Sequence, residues 1–154
     1  MRIFLIRHGQ TAWNVERRAQ GHSDIPLDQT GEAQARRLAN AFHERHLERV
    51  YTSDLQRSYR TAEPLAKITN AELISTPDLR ERSFGEWEGK PYEAIRAGVL
   101  ASAHPSHEFV PPGGESMVIV HARLTKWLSS IDLHQGNIAI VATADPARYS
   151  SPCF

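Results

Sequence analysis

Short apolar runs alternate along this chain with longer segments whose apolar residues recur at helical spacing. The short runs predict strands, because strands span few residues and favour β-branched side chains. They are Met1–Ile6, Arg49–Thr52, 71–79 ("AELISTPDL") and 136–142 ("GNIAIVA"). The first of them is apolar enough to predict a strand that is buried within a sheet.

The longer segments predict amphipathic helices, because their apolar residues fall on one side of a helical turn. They are residues 28–46, 54–68, 91–101 and 116–131. Thr30 and Ser116 are candidate N-caps, and Pro64 predicts a bend in the second helix. Residues 80–91 and 104–116 contain several Pro and Gly residues and predict loops.

The order of these elements predicts the fold. Strands alternate with helices of ten residues or more, which is typical of a mainly parallel sheet covered on both faces. We therefore expect an α/β fold, a three-layer sandwich, formed by a single domain over residues 1–154.

Composition and charge exclude several classes of protein. Lys plus Arg equals Asp plus Glu at 18 each. The chain therefore lacks the excess of basic residues that would indicate a nucleic-acid partner. No apolar run is long enough to predict a membrane span. Cys153 is the one cysteine, which excludes an internal disulfide and fits a reducing, cytoplasmic location. The eight histidines show no metal-ligand spacing, so we expect no metal.

Polar residues follow three of the predicted strands. Arg7 and His8 follow the first strand, and Ser53 and Asp54 follow the second. The last strand ends at Ala142 and is followed by Thr143. Parallel sheets bind ligands beyond the carboxyl ends of their strands. The sequence therefore predicts a ligand site at this edge.

Five sequence blocks, taken together and in this order, resemble the histidine phosphatase superfamily. They are "RHGQTAWN" from Arg7, "QGHSDIPLDQTGEAQA" from Gln20, "YTSDLQRSYRTAE" from Tyr51, "LRERSFGEWEG" from Leu79 and "PPGGES" from Pro111. The family includes cofactor-dependent phosphoglycerate mutases and many small-molecule phosphatases. The resemblance covers residues 1 to about 142 and implies a phosphoglycerate mutase-like fold.

The resemblance implies a role for four residues of the phosphate site. His8 matches the histidine that attacks phosphorus and becomes phosphohistidine, a role that suits a neutral imidazole near neutral pH. Arg7 and Arg57 match the arginines that grip the phosphoryl group with their planar forks. Asn14 matches an amide that contacts phosphate, although Asn14 or Thr11 could instead cap the following turn.

The resemblance also implies a proton donor. Glu81 matches the residue that protonates the leaving alkoxide, for which its pKa should be raised by burial or by the incoming dianion. Glu86 and Glu88 lie nearby, but their spacing suits a turn and a rim better. No metal or cofactor is needed, because the arginines supply positive charge.

Three aromatic residues leave two interpretations open. Trp87, Tyr92 and Phe109 lie in or near the segment that covers the pocket in relatives. Each could pack in the core, and one or two could line the site of the leaving group.

The family's second catalytic histidine is missing from the position where the resemblance implies it. Thr143, Ala144 and Asp145 stand where His-Gly-Gly is expected, and residues 143–154 form an atypical, proline-containing tail. Starting each codon one base earlier can restore His-Gly-Gly and an apolar continuation, provided that codon 142 ends in C. We therefore hypothesise a frameshifted, C-terminally truncated chain; the rival interpretation is a true pseudoenzyme.

The altered tail predicts two consequences. Loss of one donor to the transition state costs on the order of 100- to 1000-fold in rate, by analogy with oxyanion holes. A missing C-terminal helix and strand would leave apolar surface uncovered, which favours self-association, for example as a homodimer.

We expect a hydrolase that acts on a small phosphorylated metabolite. Mutases usually carry a long insertion before the "PPGGES" block, and only 29 residues (82–110) separate Glu81 from Pro111 here. A phosphatase is therefore favoured over a mutase. A non-catalytic phosphate-binding protein is the alternative from another class.

Overall fold

Four parallel strands form one sheet, as the apolar runs predict. The computed structural model describes residues 1–102, 104–132 and 136–142. The strands are β1 (Ile3–Arg7), β2 (Arg49–Ser53), β3 (Glu72–Thr76) and β4 (Ile138–Ala142). Their order in the sheet is β1-β4-β2-β3, so the last strand lies between the first two.

Five α-helices connect or follow these strands in the described part of the chain. They are α1 (Ala12–Val15), α2 (Gln29–Ala41), α3 (Gln56–Thr69), α4 (Tyr92–Ala101) and α5 (Met117–Ser130). Two short 3-10 turns, Pro77–Leu79 and Gly85–Trp87, lie in the long connection after β3. The α/β prediction is confirmed.

Helix α2 begins earlier than its predicted cap. Asp28, not Thr30, is the N-cap: its backbone is extended, and its carboxylate accepts the amide N–H of Gly31 at 2.8 Å. That hydrogen bond lowers the pKa of Asp28. The carboxylate at position 28 reaches the amides of the first turn, so the chain turns into the helix two residues before the expected position. The cap predicted at Ser116 is confirmed.

The sheet separates two apolar layers. Helices α2 and α3 cover one face, where Phe42, Val50, Leu65 and Val141 belong to the core. Helix α5 covers the other face, with Trp127 edge-on to Tyr51 at 5.4 Å between ring centroids. Helices on both faces give the three-layer arrangement. Helix α3 continues through Pro64 to Thr69, so this proline does not end it.

Strand β1 differs from its prediction as a buried strand. Ile3 and Leu5 are 41% and 71% exposed, whereas Phe4 and Ile6 pack against the core under α2 and α3. Among the described residues, α5 packs against the β2 and β4 side of its face and leaves the outer side of β1 open. An apolar run thus predicts a strand but not which of its faces is covered.

Two further findings concern the described part of the chain alone. No helix in it combines the length and the apolar character that a membrane span requires. No group of three or more potential metal-binding side chains was found in it.

Candidate active site

His8, Arg57 and Glu81 lie just beyond the carboxyl ends of β1, β2 and β3. His8 follows β1, and its amide donates to the carbonyl of Ala142, the last residue of β4. Arg57 lies in the first turn of α3, just beyond β2. Glu81 follows the 3-10 turn after β3, and its carboxylate lies 3.6 Å from the guanidinium of Arg57. The topology therefore brings together three residues that are far apart in sequence.

The ring of His8 is held in one tautomer. Its Nδ1 lies 2.6 Å from the carbonyl oxygen of Gly9, and a carbonyl can only accept. The hydrogen therefore sits on Nδ1, and Nε2 keeps its lone pair. Burial, and to a lesser degree the charges of Arg57 and Arg7, lower the pKa of His8 to about 4 despite the opposing hydrogen bond to Gly9. His8 is therefore a neutral base with Nε2 available at neutral pH.

The turn after His8 is fixed by close backbone packing. The amide of Gly9 donates to the hydroxyl of Thr61 on α3 at 2.9 Å. A Cβ at position 9 would lie 2.7 Å from the carbonyl oxygen of Gly31, at the start of α2. The turn thus joins β1 to both helices of this layer and leaves no room for a side chain at position 9.

Arg57 is a fully buried cation, and one of its nitrogens has no hydrogen-bond partner among the described residues. Its terminal nitrogens donate to the carbonyls of Gly21 and Ser23, each at 2.7 Å. Its Nε is buried and has no hydrogen-bond partner among the described residues. Burial lowers the pKa of Arg57, and the charges of Glu81 and Asp24 oppose that effect. A buried cation with an unsatisfied N–H is suited to an incoming anion.

The predicted role of Asn14 stays open, because the capping alternative is also present. Thr11 caps α1, and the amide oxygen of Asn14 accepts the backbone N–H of Thr11 at 3.0 Å. This cap uses the amide oxygen, so the Nδ2 hydrogens are what Asn14 could offer to phosphate. Arg7 is exposed at the end of β1, and its phosphate contact likewise stays a prediction.

Glu88 organises a loop, as its spacing predicts. Its carboxylate accepts the hydroxyl of Ser23 at 2.5 Å and the amides of His22 and Phe84 at 2.8 and 3.2 Å. Burial opposes ionisation, but these hydrogen bonds outweigh it and lower the pKa of Glu88. An ionised carboxylate with its oxygens occupied is unsuited to proton donation. Glu86 is exposed.

The aromatic residues pack together in the connection after β3. Trp87 and Phe109 lie with ring centroids 5.2 Å apart. Tyr92 packs against an apolar cluster that includes Phe84 and Ile95. The packing interpretation therefore applies to all three, and nothing in the described residues tests a contact with a leaving group.

Sequence reasoning missed three residues around Glu81. The ring of His22 lies 2.9 Å from the backbone carbonyl of Glu81. Arg123 on α5 donates to the same carbonyl, and Glu115 pairs with Arg123. Glu115 lies inside the "PPGGES" block, which was its one available signal. The predicted loss of the second histidine at position 143, and the tail 143–154, lie outside the described residues.

Comparison with known proteins shows the family of this chain. Residues 3–150 match the family described as the histidine phosphatase superfamily (branch 1). The chain is 37% identical over 149 residues to "Phosphoglycerate mutase-like protein 4" of Arabidopsis thaliana, covering 92% of this chain and 65% of that protein. It is 35% identical over 134 residues to "Fructose-2,6-bisphosphatase TIGAR B" of Danio rerio, covering 84% and 52%. The chain thus spans less than two thirds of either relative.

A solved structure shares the fold. The mycobacterial glucosyl-3-phosphoglycerate phosphatase, solved with VO3, superposes with a TM-score of 0.77 at 32% identity, covering 90% of this chain and 73% of that one. Phosphatases and mutase-like proteins are therefore both among the relatives.

Proposed function

Because this chain belongs to the histidine phosphatase superfamily, we propose that it hydrolyses phosphomonoesters of small metabolites through a phosphohistidine at His8. One observation carries the proposal. Arg57 is fully buried, its Nε is unsatisfied among the described residues, and it lies close enough to His8, which burial keeps neutral, for its charge to help lower the pKa of that ring. A phosphoryl group would satisfy Arg57 and face Nε2 of His8. Arg7 and Asn14 are the further phosphate contacts of the proposal.

In the first step, Nε2 of His8 attacks phosphorus. The P–N bond forms as the P–O bond to the leaving group breaks. The hydrogen bond from Nδ1 to the Gly9 carbonyl stabilises the positive charge that develops on the ring. In the second step, water attacks phosphorus, the P–N bond breaks and inorganic phosphate leaves.

Glu81 is the proposed acid and base of these steps. Its carboxyl gives a proton to the leaving alkoxide in the first step and takes one from water in the second, so protons balance over the cycle. Its carboxylate lies 3.6 Å from the guanidinium of Arg57. A bound phosphate dianion would bring negative charge beside Glu81, and this favours the protonated form that donation needs.

We further propose that this chain is a slow member of its class. The sequence places Thr143 where the resemblance implies a second histidine. Loss of one transition-state donor lowers rates by about 100- to 1000-fold. Turnover should therefore be weak but dependent on His8.

The test is phosphate release from para-nitrophenyl phosphate by the wild type, His8→Asn and His46→Asn. His46 is an exposed histidine beside Glu48, remote from the candidate site, and serves as the matched control. Release lost in His8→Asn and kept in His46→Asn supports the proposal. Mass spectrometry after a base quench should then find phosphate on His8, because phosphohistidine survives base.

Two results would count against hydrolysis. Binding of inorganic phosphate without release from the wild type would indicate a non-catalytic binder. Transfer of the phosphoryl group to a second hydroxyl compound in preference to water would indicate mutase-type chemistry.

A further inference from the structure

The segment that carries Glu81 has no regular secondary structure of its own. Residues 80–84 lie between the two 3-10 turns and belong to neither a helix nor a strand. The position of the Glu81 carboxylate relative to Arg57 therefore depends on side chains from elsewhere in the fold.

Arg123 holds this segment by its backbone. One terminal nitrogen, Nη1, donates to the carbonyls of Asp78 at 2.6 Å and Arg80 at 3.0 Å. The other, Nη2, donates to the carbonyl of Glu81 at 3.3 Å. Arg123 belongs to α5, and Trp127 of the same helix packs on Tyr51 of the sheet. The guanidinium of Arg123 therefore links the backbone of this segment to a helix that packs on the sheet.

Glu115 holds the other side of the same segment. Its Oε2 accepts the amide N–H of Ser83 at 2.9 Å and Nη2 of Arg123 at 3.2 Å. The two side chains are only 17% and 19% exposed, so solvent screens the pair weakly. The pair thus fixes the backbone on both sides of Glu81.

We propose that Glu115 and Arg123 are positioning residues that set the carboxyl of Glu81 for proton transfer to the leaving group. The inference rests on the proposed function, since it assigns Glu81 as the acid. Neither residue touches the phosphoryl group in this scheme. Their effect is geometric: a displacement of about 1 Å in a catalytic group can lower a rate by about 100-fold.

The test compares two substrates that differ in their need for an acid. Para-nitrophenolate leaves without a proton, whereas the alkoxide of glycerol phosphate needs one. In Arg123→Gln and Glu115→Gln we expect the rate of the first step, measured as release of the leaving group in a single turnover, to fall about 10- to 100-fold on glycerol phosphate and less than about 3-fold on para-nitrophenyl phosphate. KM should change little on either substrate, because the phosphate contacts are untouched.

Two variants separate positioning from general damage. Arg123→Lys keeps the charge and some hydrogen bonds, so it should recover part of the lost activity on glycerol phosphate. The double variant Glu81→Gln/Arg123→Gln should be no slower than Glu81→Gln, because Arg123 acts through Glu81. Equal losses on both substrates, or additive losses in the double variant, would overturn the inference.

A second readout does not depend on turnover. Hydrogen exchange of the peptide spanning residues 77–83 should accelerate in Arg123→Gln, while peptides from β2 and α3 stay unchanged. If the wild type releases phosphate from neither substrate, the proposed function fails. Unchanged exchange over residues 77–83 would separately refute the claim that the pair holds Glu81.

Discussion

Acid should destabilise this fold through the ring of His8. In the folded chain its pKa is about 4, and in the unfolded chain it takes the ordinary value of 6.5. Between these values the unfolded chain binds more protons, so the free energy of unfolding rises with pH across this window. The penalty is fully present below about pH 4 and absent above about pH 6.5.

The size of this effect on the free energy of unfolding follows from the pKa shift of His8. At about 1.4 kcal/mol per pKa unit, the full penalty is about 3 kcal/mol, of which about 2 kcal/mol develops between about pH 7 and pH 5. That is a large fraction of the roughly 5–15 kcal/mol by which domains are stable. His8 is 7% exposed, so solvent screening does not reduce the figure greatly.

The assay is urea unfolding of the wild type and His8→Asn at both pH values. The amide of Asn can still donate to the carbonyl of Gly9 but does not titrate in this range. Asp28, Asp54 and Glu88 have lowered pKa values and add acid sensitivity to both proteins alike. Their effect cancels in the comparison. The wild type should lose about 2 kcal/mol more than the variant; equal losses would refute the buried, neutral His8.

Three further changes test other parts of the structure. Gly31→Ala should destabilise the fold by about 1–3 kcal/mol by urea unfolding, because its Cβ would lie 2.1 Å from the carbonyl oxygen of Gln10; unchanged stability would contradict this contact. Thr61→Val should cost about 1–3 kcal/mol, because it leaves the buried amide of Gly9 without its acceptor, and calorimetry should show the lower transition temperature. Leu5→Lys should weaken self-association in sedimentation equilibrium, because Leu5 is 71% exposed on β1, which lies at the edge of the described sheet. A wild type that is monomeric at every concentration tested would contradict the last prediction.

Local pattern predicted the four strands, the four longer helices and their order, because apolar spacing indicates whether a segment is a strand or a helix; it did not predict the short helix α1. It did not predict the exposure of Ile3 and Leu5, which depends on where α5 lies over the sheet. The predicted N-cap of α2 was also wrong by two residues. Asp28 and Thr30 are both favourable N-cap residues, and local sequence does not show which of them bonds to the first turn.

The sequence likewise predicted one part of the candidate site and not the other. The resemblance named His8, Arg57 and Glu81, and the structure brings them together. The buried carbonyl contacts of Arg123 could not be predicted, because an arginine on an amphipathic helix gives no sign of a backbone partner more than 40 residues away. Every residue has a backbone carbonyl, so the amino-acid sequence does not show which carbonyl accepts a hydrogen bond from a distant side chain.

The order of strands also sets when the sheet can form during synthesis. Strand β1 pairs with β4 and has no other strand neighbour in the described sheet, and each residue of β1 pairs with one made 135 residues later, as Ile3 does with Ile138. Until Ile138–Ala142 leaves the ribosome, β1 and the attached His8 turn have no strand to join, while β2 and β3 can already pair. Such distant pairing slows folding and prolongs exposure of unpaired strand. A nascent chain should therefore complete its candidate active site as one of its last folding events.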